Sequence, residues 1–498
     1  MPRKNKPKNS ESHSTKTQLQ GKLEITRAGM GFVIVEGREK DIIVKRENLG
    51  TALNGDIVLV EMRDDREGRR TEGRVLDVIQ RKQSEFTGVI EVHQHYAFMI
   101  PDNERMPVDV FVPLHLLAGA TTGDRVMVKI VDWNKGKNPI GSVLNILTNE
   151  SANEIAMQGI LSENGFPLSF SSETLADAER YTDVISEEEV LKRRDMRDVL
   201  TMTIDPVDAR DFDDAISFTT LKGGYYEIGV HIADVGHFIE AGSALDKEAY
   251  QRATSVYLPD RVLPMLPERL SNELCSLRPN EDKYTFSTVF RINKKGKVTD
   301  TWIGKTLIHS KRRFSYEEVQ EIIEGKKGDH EKEIRILNEM AQAMRAERFT
   351  KGAINFSSQE VRFKLDENAV PIGIIVKESK EAHQLIEEFM LLANRSVAAF
   401  VAGKELKGDK VPFPYRVHDE PDADKLKVFS VFALRFGINL DISKPENVAH
   451  SFNEMLRTAH GKPEQHVLEQ LGIRTMAKAV YTTKNFGHYG LGFENYCH

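Results

Sequence analysis

The chain has 498 residues, 40% of them apolar and 29% charged, which is too long for one ordinary core and too apolar for a disordered or fibrous protein. Its two cysteines, Cys275 and Cys497, are too few and too far apart for a disulfide framework or a zinc site, and no apolar run reaches the ~18 residues of a membrane span. The net charge of −7 argues weakly against a nucleic-acid partner, yet residues 1–22 carry Arg3, Lys4, Lys6, Lys8, Lys16 and Lys22 against Glu11 alone. The N-terminus has no apolar core of the signal-peptide kind, so a cytoplasmic protein with no membrane partner is expected.

In chain order, residues 1–20 read as a basic disordered arm. Residues 21–148 read as short β-strands separated by Gly, Asn and Asp turns, and they repeat. "GFVIV" (31–35), "DIIV" (41–44), "NGDIVLV" (54–60) and "GRVLDVI" (73–79) are answered by "AFMIP" (97–101), "DVFV" (109–112), "TGDRVMV" (122–128) and "GSVLNIL" (141–147). The offset settles at about 68 residues, which predicts two tandem five-stranded barrels over 21–82 and 83–148. "RAGMGFVIVEG" (27–37) resembles the signature strand of cold-shock-type oligonucleotide-binding (OB) barrels, where exposed aromatics stack on unpaired bases. Phe32, Tyr96 and Phe98 are the candidates, although an aromatic in a short barrel strand is as readily core. Residues 149–200, rich in helix formers and mixed charge, predict one or two linking surface helices.

The segment "TIDPVDARDFDDAISF" (203–218) is unusual chemically. Five of its residues from Asp205 to Asp214 are aspartates, lying on a turn between two strand-like runs, with Arg210 as the local counter-charge. Two such charges a few ångströms apart repel by roughly 4 kcal/mol at an effective dielectric near 20, so one arginine is too few. An oxygen-only donor set favours Mg²⁺, Mn²⁺ or Ca²⁺ over zinc. The calcium-loop pattern fails, because position 6 from Asp205 is Arg210 instead of glycine and position 12 is Ile216 instead of glutamate. One or two Mg²⁺ ions, with Mn²⁺ as an alternative, fit a site that must also admit phosphate. The bland alternative is a solvated acidic turn.

This segment closely resembles the hallmark of the RNB domain, the catalytic domain of the ribonuclease II superfamily of 3′→5′ exoribonucleases. "HIADVGHFIEAGSALDKEAYQRATSVYLPDRVLPMLPERLSNELCSLRP" (231–279) and "KEAHQLIEEFMLLANRSVAAF" (380–400) resemble the same domain, and barrels ahead of it resemble the ribonuclease R branch. The resemblance implies an α+β multidomain chain: two OB-type cold-shock barrels, a helical linker over 149–200 and a mixed α/β RNB catalytic domain over 201–498. It implies a Mg²⁺-dependent exoribonuclease that releases nucleoside 5′-monophosphates processively from single-stranded 3′ ends, including those of structured RNA, as a monomer without a small-molecule cofactor. Asp205, Asp211, Asp213 and Asp214 correspond to the acidic quartet, with Asp213 the one essential for hydrolysis. Tyr257 and Phe356 correspond to the aromatic pair at the RNA 3′ end. Tyr316 and Glu387 correspond to further RNA contacts, with Glu388 as the alternative register.

After "NFGHYGLGFENYCH" the family continues into a "SPIRRYPDL"-type segment, a third barrel and often a lysine-rich tail, none of which is present. The chain is therefore expected to be the N-terminal part of a longer enzyme. A non-catalytic RNA-binding protein, or an inactive fragment, is the competing expectation. An unrelated aspartyl phosphohydrolase would leave the barrels unexplained. Helices are expected at about 316–325, 331–350, 380–402, 422–436 and 463–480. Lys311, Arg312 and Arg313 read as solvated surface that could touch phosphate, and Cys275 as packed.

Overall fold

Alternating apolar residues build both barrels. A computed structural model describes residues 17–498 except 27, 39, 65–70, 104–105, 107, 134–136, 148–151 and 357–359, so nearly all of the basic arm lies outside the described residues. The chain divides into two units, 1–170 and 171–498.

In the first unit, β1 (Gln18–Ile25), β2 (Gly31–Ile34), β3 (Ile42–Val44), β4 (Ile57–Asp64) and β5 (Glu72–Gln80) close in the order β1-β2-β3-β5-β4. A second barrel repeats this connectivity with β6 (Glu85–Val92), β7 (Ala97–Pro101), β8 (Val110–Val112), β9 (Arg125–Asp132) and β10 (Ile140–Ile146). Leu23, Val33, Ile42, Val44, Val58 and Val60 fill the first interior, and Ile90, Met99, Val110, Val112, Val126 and Val128 fill the second. The repeat extends to glycine: a Cβ on Gly21 or Gly88 would run into the carbonyl of Ile34 or Ile100 on the neighbouring strand. Strand β1 starts at Gln18, inside the segment expected to be an arm. The segment expected as a linker holds three helices, α1 (Ala152–Glu163) in the first unit and α2 (Ser172–Glu179) and α3 (Glu187–Lys192) in the second.

The second unit is built on a seven-stranded sheet. Its strands are β11 (Arg194–Asp195), β12 (Leu200–Asp205), β13 (Asp214–Thr220), β14 (Tyr225–Ala233), β17 (Asp282–Asn293), β18 (Val298–His309) and β19 (Arg312–Ser315). They lie in the order β11-β18-β17-β14-β13-β12-β19. Between β14 and β17 come α4 (Ala244–Arg252) and a hairpin of β15 (Val256–Tyr257) and β16 (Val262–Leu263). Helices α5 (Tyr316–Ile323), α6 (Glu331–Thr350) and α7 (Glu381–Ala402) cover one sheet face, burying Ile204, Ile216, Val230 and Phe290 against Val319, Leu337 and Phe389. Ser315 caps α5 through a capping box with Glu318, so the helix begins directly at the end of β19. Between α6 and α7, β20 (Glu360–Leu365) and β21 (Pro371–Lys377) form a separate hairpin. Helices α8 (Ala423–Leu434), α9 (Pro445–Ala459) and α10 (Gln465–Ile473) pack a further cluster around Phe429, Phe452 and Leu468.

Two helix expectations are corrected. The helix expected at 463–480 ends at Ile473, and Val480–Thr482 pairs as a strand with Tyr415–Val417. The Thr475 hydroxyl turns back onto the Gly472 carbonyl (2.7 Å), and its own carbonyl accepts from Asp422 N–H (2.9 Å), which ends the helix. Helix α9 was not expected, although Pro445 stands in its first turn and Val448, Phe452, Met455, Leu456 and Ala459 keep helical spacing.

The other sheet face carries a buried polar row. His231 bridges Ser217 (2.8 Å) and Ser287 (2.7 Å), Ser287 contacts Thr306, and Thr306 meets Thr285 at 2.6 Å. Burial and Arg194 push the His231 pKa down to about 3, so the ring is neutral. A Cβ at Gly229 would sit 2.5 Å from both Ser217 Oγ and His231 Nε2. Gly229→Ala should therefore destabilise the second unit by about 2–4 kcal/mol, by overpacking and by breaking a buried hydrogen-bonded row. Denaturant unfolding of the variant checks this, and a midpoint equal to wild type would remove the row's structural importance.

Candidate active site

The acidic segment lies at one end of this sheet. Asp205 is the last residue of β12 and Asp214 the first of β13, so residues 206–213 form the connecting loop. The loop is fastened mainly through its backbone. Ser276 Oγ donates to the Arg210 carbonyl (2.8 Å) and accepts from the Phe212 amide (3.0 Å). The Leu277 amide donates to the Phe212 carbonyl (2.8 Å) and the Ala233 amide to the Asp213 carbonyl (3.0 Å). At the loop's start, Arg313 Nη2 donates to the carbonyls of Pro206 (2.6 Å) and Val207 (2.9 Å). These bonds leave the carboxylates near enough to act on one another electrostatically.

Their electrostatics follow from that arrangement. Burial lifts the Asp205 pKa to about 6, helped by Asp213 and Asp211 and opposed by Thr203 and Arg313. Burial, with Asp205 and Asp213, lifts Asp214 to about 7. Asp213 is raised by its dense surroundings and by Asp211, although its side chain opens to solvent. Asp205 is only 8% exposed; the Thr203 hydroxyl beside it is near enough to hold its pKa down, yet neither Asp205 Oδ2 nor Thr203 Oγ1 completes a well-directed hydrogen bond. Arg210, the counter-charge expected from sequence, is exposed and forms no ion pair among the described residues; Arg313 occupies that role. A flexible side chain on an open loop gains little from a surface pair, whereas Arg313 is held on a strand beside β12.

Among the described residues no three His, Cys, Asp or Glu side chains are grouped tightly enough to hold an ion by themselves. The donor set nonetheless suits a hard cation of the Mg²⁺ kind, which takes one or two carboxylates and fills its remaining positions with water and phosphate oxygens. The unpartnered Asp205 Oδ2 supplies a free ligand atom for it.

The other expected residues divide. Tyr257, 66% exposed on β15, donates its hydroxyl to Asp211 Oδ2 (3.1 Å), and burial together with Asp211 pushes its pKa up to about 12. Tyr316 stacks on His383 (ring centroids 4.1 Å apart), and burial with Asp214 and Asp205 raises its pKa, so it too borders the acids. Phe356 packs edge-on against Phe452 (5.6 Å), and no ring contact joins it to Tyr257 among the described residues. Glu388 is 3% exposed and held by Arg348 (2.5 Å) and Arg345 (3.5 Å), whereas the Glu387 side chain is 44% exposed. Glu387 is the one that faces outward.

On the second barrel, His93, Tyr96, Phe98 and Phe111 form a ladder with ring centroids 4.8, 5.6 and 5.6 Å apart, and Tyr96 is 41% exposed. Phe98 pairs across strands with Phe111. In the first barrel half-buried Phe32 pairs with Ile43, so the aromatic surface there is a single ring. Sequence reasoning missed Ser276, Thr203, His93 and Phe111; only the two rings carried a signal, as aromatic and imidazole side chains beside expected barrel strands.

Comparison with known proteins agrees with the fold. Residues 193–498 match the RNB domain, 98–171 the cold shock domain and 21–78 the ribonuclease B OB domain. Ribonuclease R of Thermotoga maritima is 35% identical over 488 residues, covering 96% of this chain and 68% of the relative. Ribonuclease R 1 of Lactococcus lactis is 32% identical, and the chain spans 62% of its length. Among solved structures, Mycoplasma genitalium RNase R in complex with ribose-methylated single-stranded RNA superposes with a TM-score of 0.78 at 27% identity, covering 96% of this chain and 76% of that one. The chain belongs to the RNB-domain family and is of the ribonuclease R type, with two OB-type barrels ahead of its α/β domain.

Proposed function

We propose that the chain carries the catalytic core of a 3′→5′ exoribonuclease that acts on single-stranded RNA 3′ ends, including those of structured RNA, and releases nucleoside 5′-monophosphates processively. The observation that carries this reading is Asp205 Oδ2, buried without a well-directed hydrogen bond among carboxylates whose pKa values are raised by burial and, beyond that, by one another. Asp205, Asp211, Asp213 and Asp214 would hold Mg²⁺, or Mn²⁺ in its place. Bound there, the cation would neutralise charge at the scissile phosphate and favour ionisation of the attacking water. The chain's own residues do the rest. Asp213, the most open of the buried-end carboxylates, faces the incoming phosphate. Tyr257, fixed by Asp211, and Tyr316, beside Asp214, border the RNA end, with Phe356 and Glu387 further along.

We assign the barrels over 21–82 and 83–148 to single-stranded RNA binding through Phe32, Tyr96 and Phe98, residues 149–200 to a linker, and 201–498 to catalysis. A cytoplasmic monomer fits two unpaired cysteines and the lack, among the described residues, of a helix long and apolar enough to cross a membrane.

The test uses a 5′-labelled RNA duplex with a single-stranded 3′ overhang and Mg²⁺. Progressive shortening, lost in Asp213→Asn and in EDTA, is expected. Shortening that survives Asp213→Asn would refute the assignment, and RNA binding without cleavage in wild type would favour a purely binding role for this chain.

Cation affinity should depend on pH with a definite sign. Protons occupy Asp205 and Asp214 below about pH 6–7 and must leave before a cation binds, so affinity should rise steeply from pH 5.5 to 7 and level off near 8. Isothermal titration with Mn²⁺ across that range checks this, and a flat profile would contradict it. Separately, Tyr96→Ala with Phe98→Ala should weaken single-stranded RNA binding by about 1–3 kcal/mol per stacked base. Fluorescence anisotropy should show a smaller loss for Phe32→Ala, whose ring has no aromatic neighbour.

A further inference from the structure

Arg313 contacts the acidic loop at both of its ends. Strand β19 runs parallel to β12, with Arg313 beside Thr203 and Ser315 beside Asp205. From there the guanidinium donates through Nη2 to the carbonyls of Pro206 and Val207, at the loop's entry. It also lies over the ring of Phe212, at the loop's exit, 5.5 Å from its centroid. Its Nε is buried without a partner, as is Asp205 Oδ2, and among cations it is Arg313 whose charge acts on Asp205. The neighbouring Arg312 turns to the opposite side, toward Glu318 (3.0 Å) and Asp329 (3.1 Å).

We infer that Arg313 is the positioning residue of the cation site: it pins the path of residues 206–212 so that Asp205 presents a free carboxylate oxygen to the ion. This rests on the cation-holding reading above. Two features make the role specific to arginine. One guanidinium nitrogen, Nη2, reaches both carbonyls while the rest of the planar group extends over the Phe212 ring, a combination of reach and flat contact that a lysine's point-like ammonium does not reproduce. Spending its hydrogen bonds on backbone carbonyls, with no bond to a carboxylate among the described residues, lets it moderate the repulsion among the aspartates while leaving their oxygens for a second, mobile cation.

The experiment is Mn²⁺ binding followed by electron paramagnetic resonance of the free ion. It uses the full chain as wild type, Arg313→Lys, Arg312→Lys and Asp205→Asn. Single-stranded RNA binding in EDTA and thermal melting are measured in parallel. Arg313→Lys is expected to weaken Mn²⁺ binding about tenfold or more, the usual scale for residues that orient ligands. RNA binding and melting should stay near wild type, and Arg312→Lys should bind Mn²⁺ normally. Wild-type Mn²⁺ affinity in Arg313→Lys, with loss in Asp205→Asn, would overturn the role of Arg313 while leaving the cation site standing. Identical titrations for wild type and Asp205→Asn would overturn both. If Arg313→Lys melts early, Phe212→Leu decides: it keeps an apolar core side chain while removing the ring beneath the guanidinium, an intermediate loss is expected, and unchanged Mn²⁺ affinity in a folded Phe212→Leu protein contradicts the proposal.

Discussion

Everything in the second unit that bears on chemistry depends on one unfavourable fact: several carboxylates are held close together at the end of a sheet where water is scarce. A loop left to itself would splay such charges into solvent. Here each end is a residue of a buried strand, and the backbone between is tied down by Ser276, Leu277, Ala233 and Arg313. The folding energy of the sheet and its covering helices thus offsets a local repulsion that the loop cannot relieve. The strain appears as raised carboxylate pKa values and an unpartnered oxygen, the state a cation and a phosphate would relieve.

The fastening groups come from far along the chain. Ser276 lies on the segment before β17 and Arg313 on β19, the last strand of the sheet in chain order, which pairs with β12 at the sheet's edge. The site therefore exists only in the assembled unit. On the proposed function that division would also separate binding from chemistry: the aromatic ladder of the second barrel belongs to the first unit, and the acids to the second.

Much of this was legible from sequence where the signal was local. The 68-residue offset predicted both barrels because closed five-stranded units repeat their turns and core positions, down to Gly21 and Gly88. The aspartate loop was legible because its charge density has no cheap explanation, and the capping serine and apolar spacing placed α5, α6 and α7 within a residue or two. Helix α9 was equally legible and was missed. What could not be read was long-range: that β19 pairs parallel with β12, that Arg313 and not Arg210 acts on Asp205, and that Ser276 fastens the acidic loop. Strand order across a seven-stranded sheet is set by packing between distant segments, and no local pattern encodes it. The same holds for Glu387 and Glu388, adjacent on one helix: Arg345 and Arg348 of another helix pair with both, and of the two glutamates only Glu388 is buried.

The central claim, that this crowding is built for a divalent cation, is tested most directly by crystals grown with Mn²⁺ and measured at its absorption edge. An anomalous peak against Asp205 Oδ2 and at least one of Asp211, Asp213 and Asp214 is predicted. Well-ordered carboxylates with no anomalous peak among them, at Mn²⁺ concentrations that saturate other oxygen-ligand sites, would contradict it.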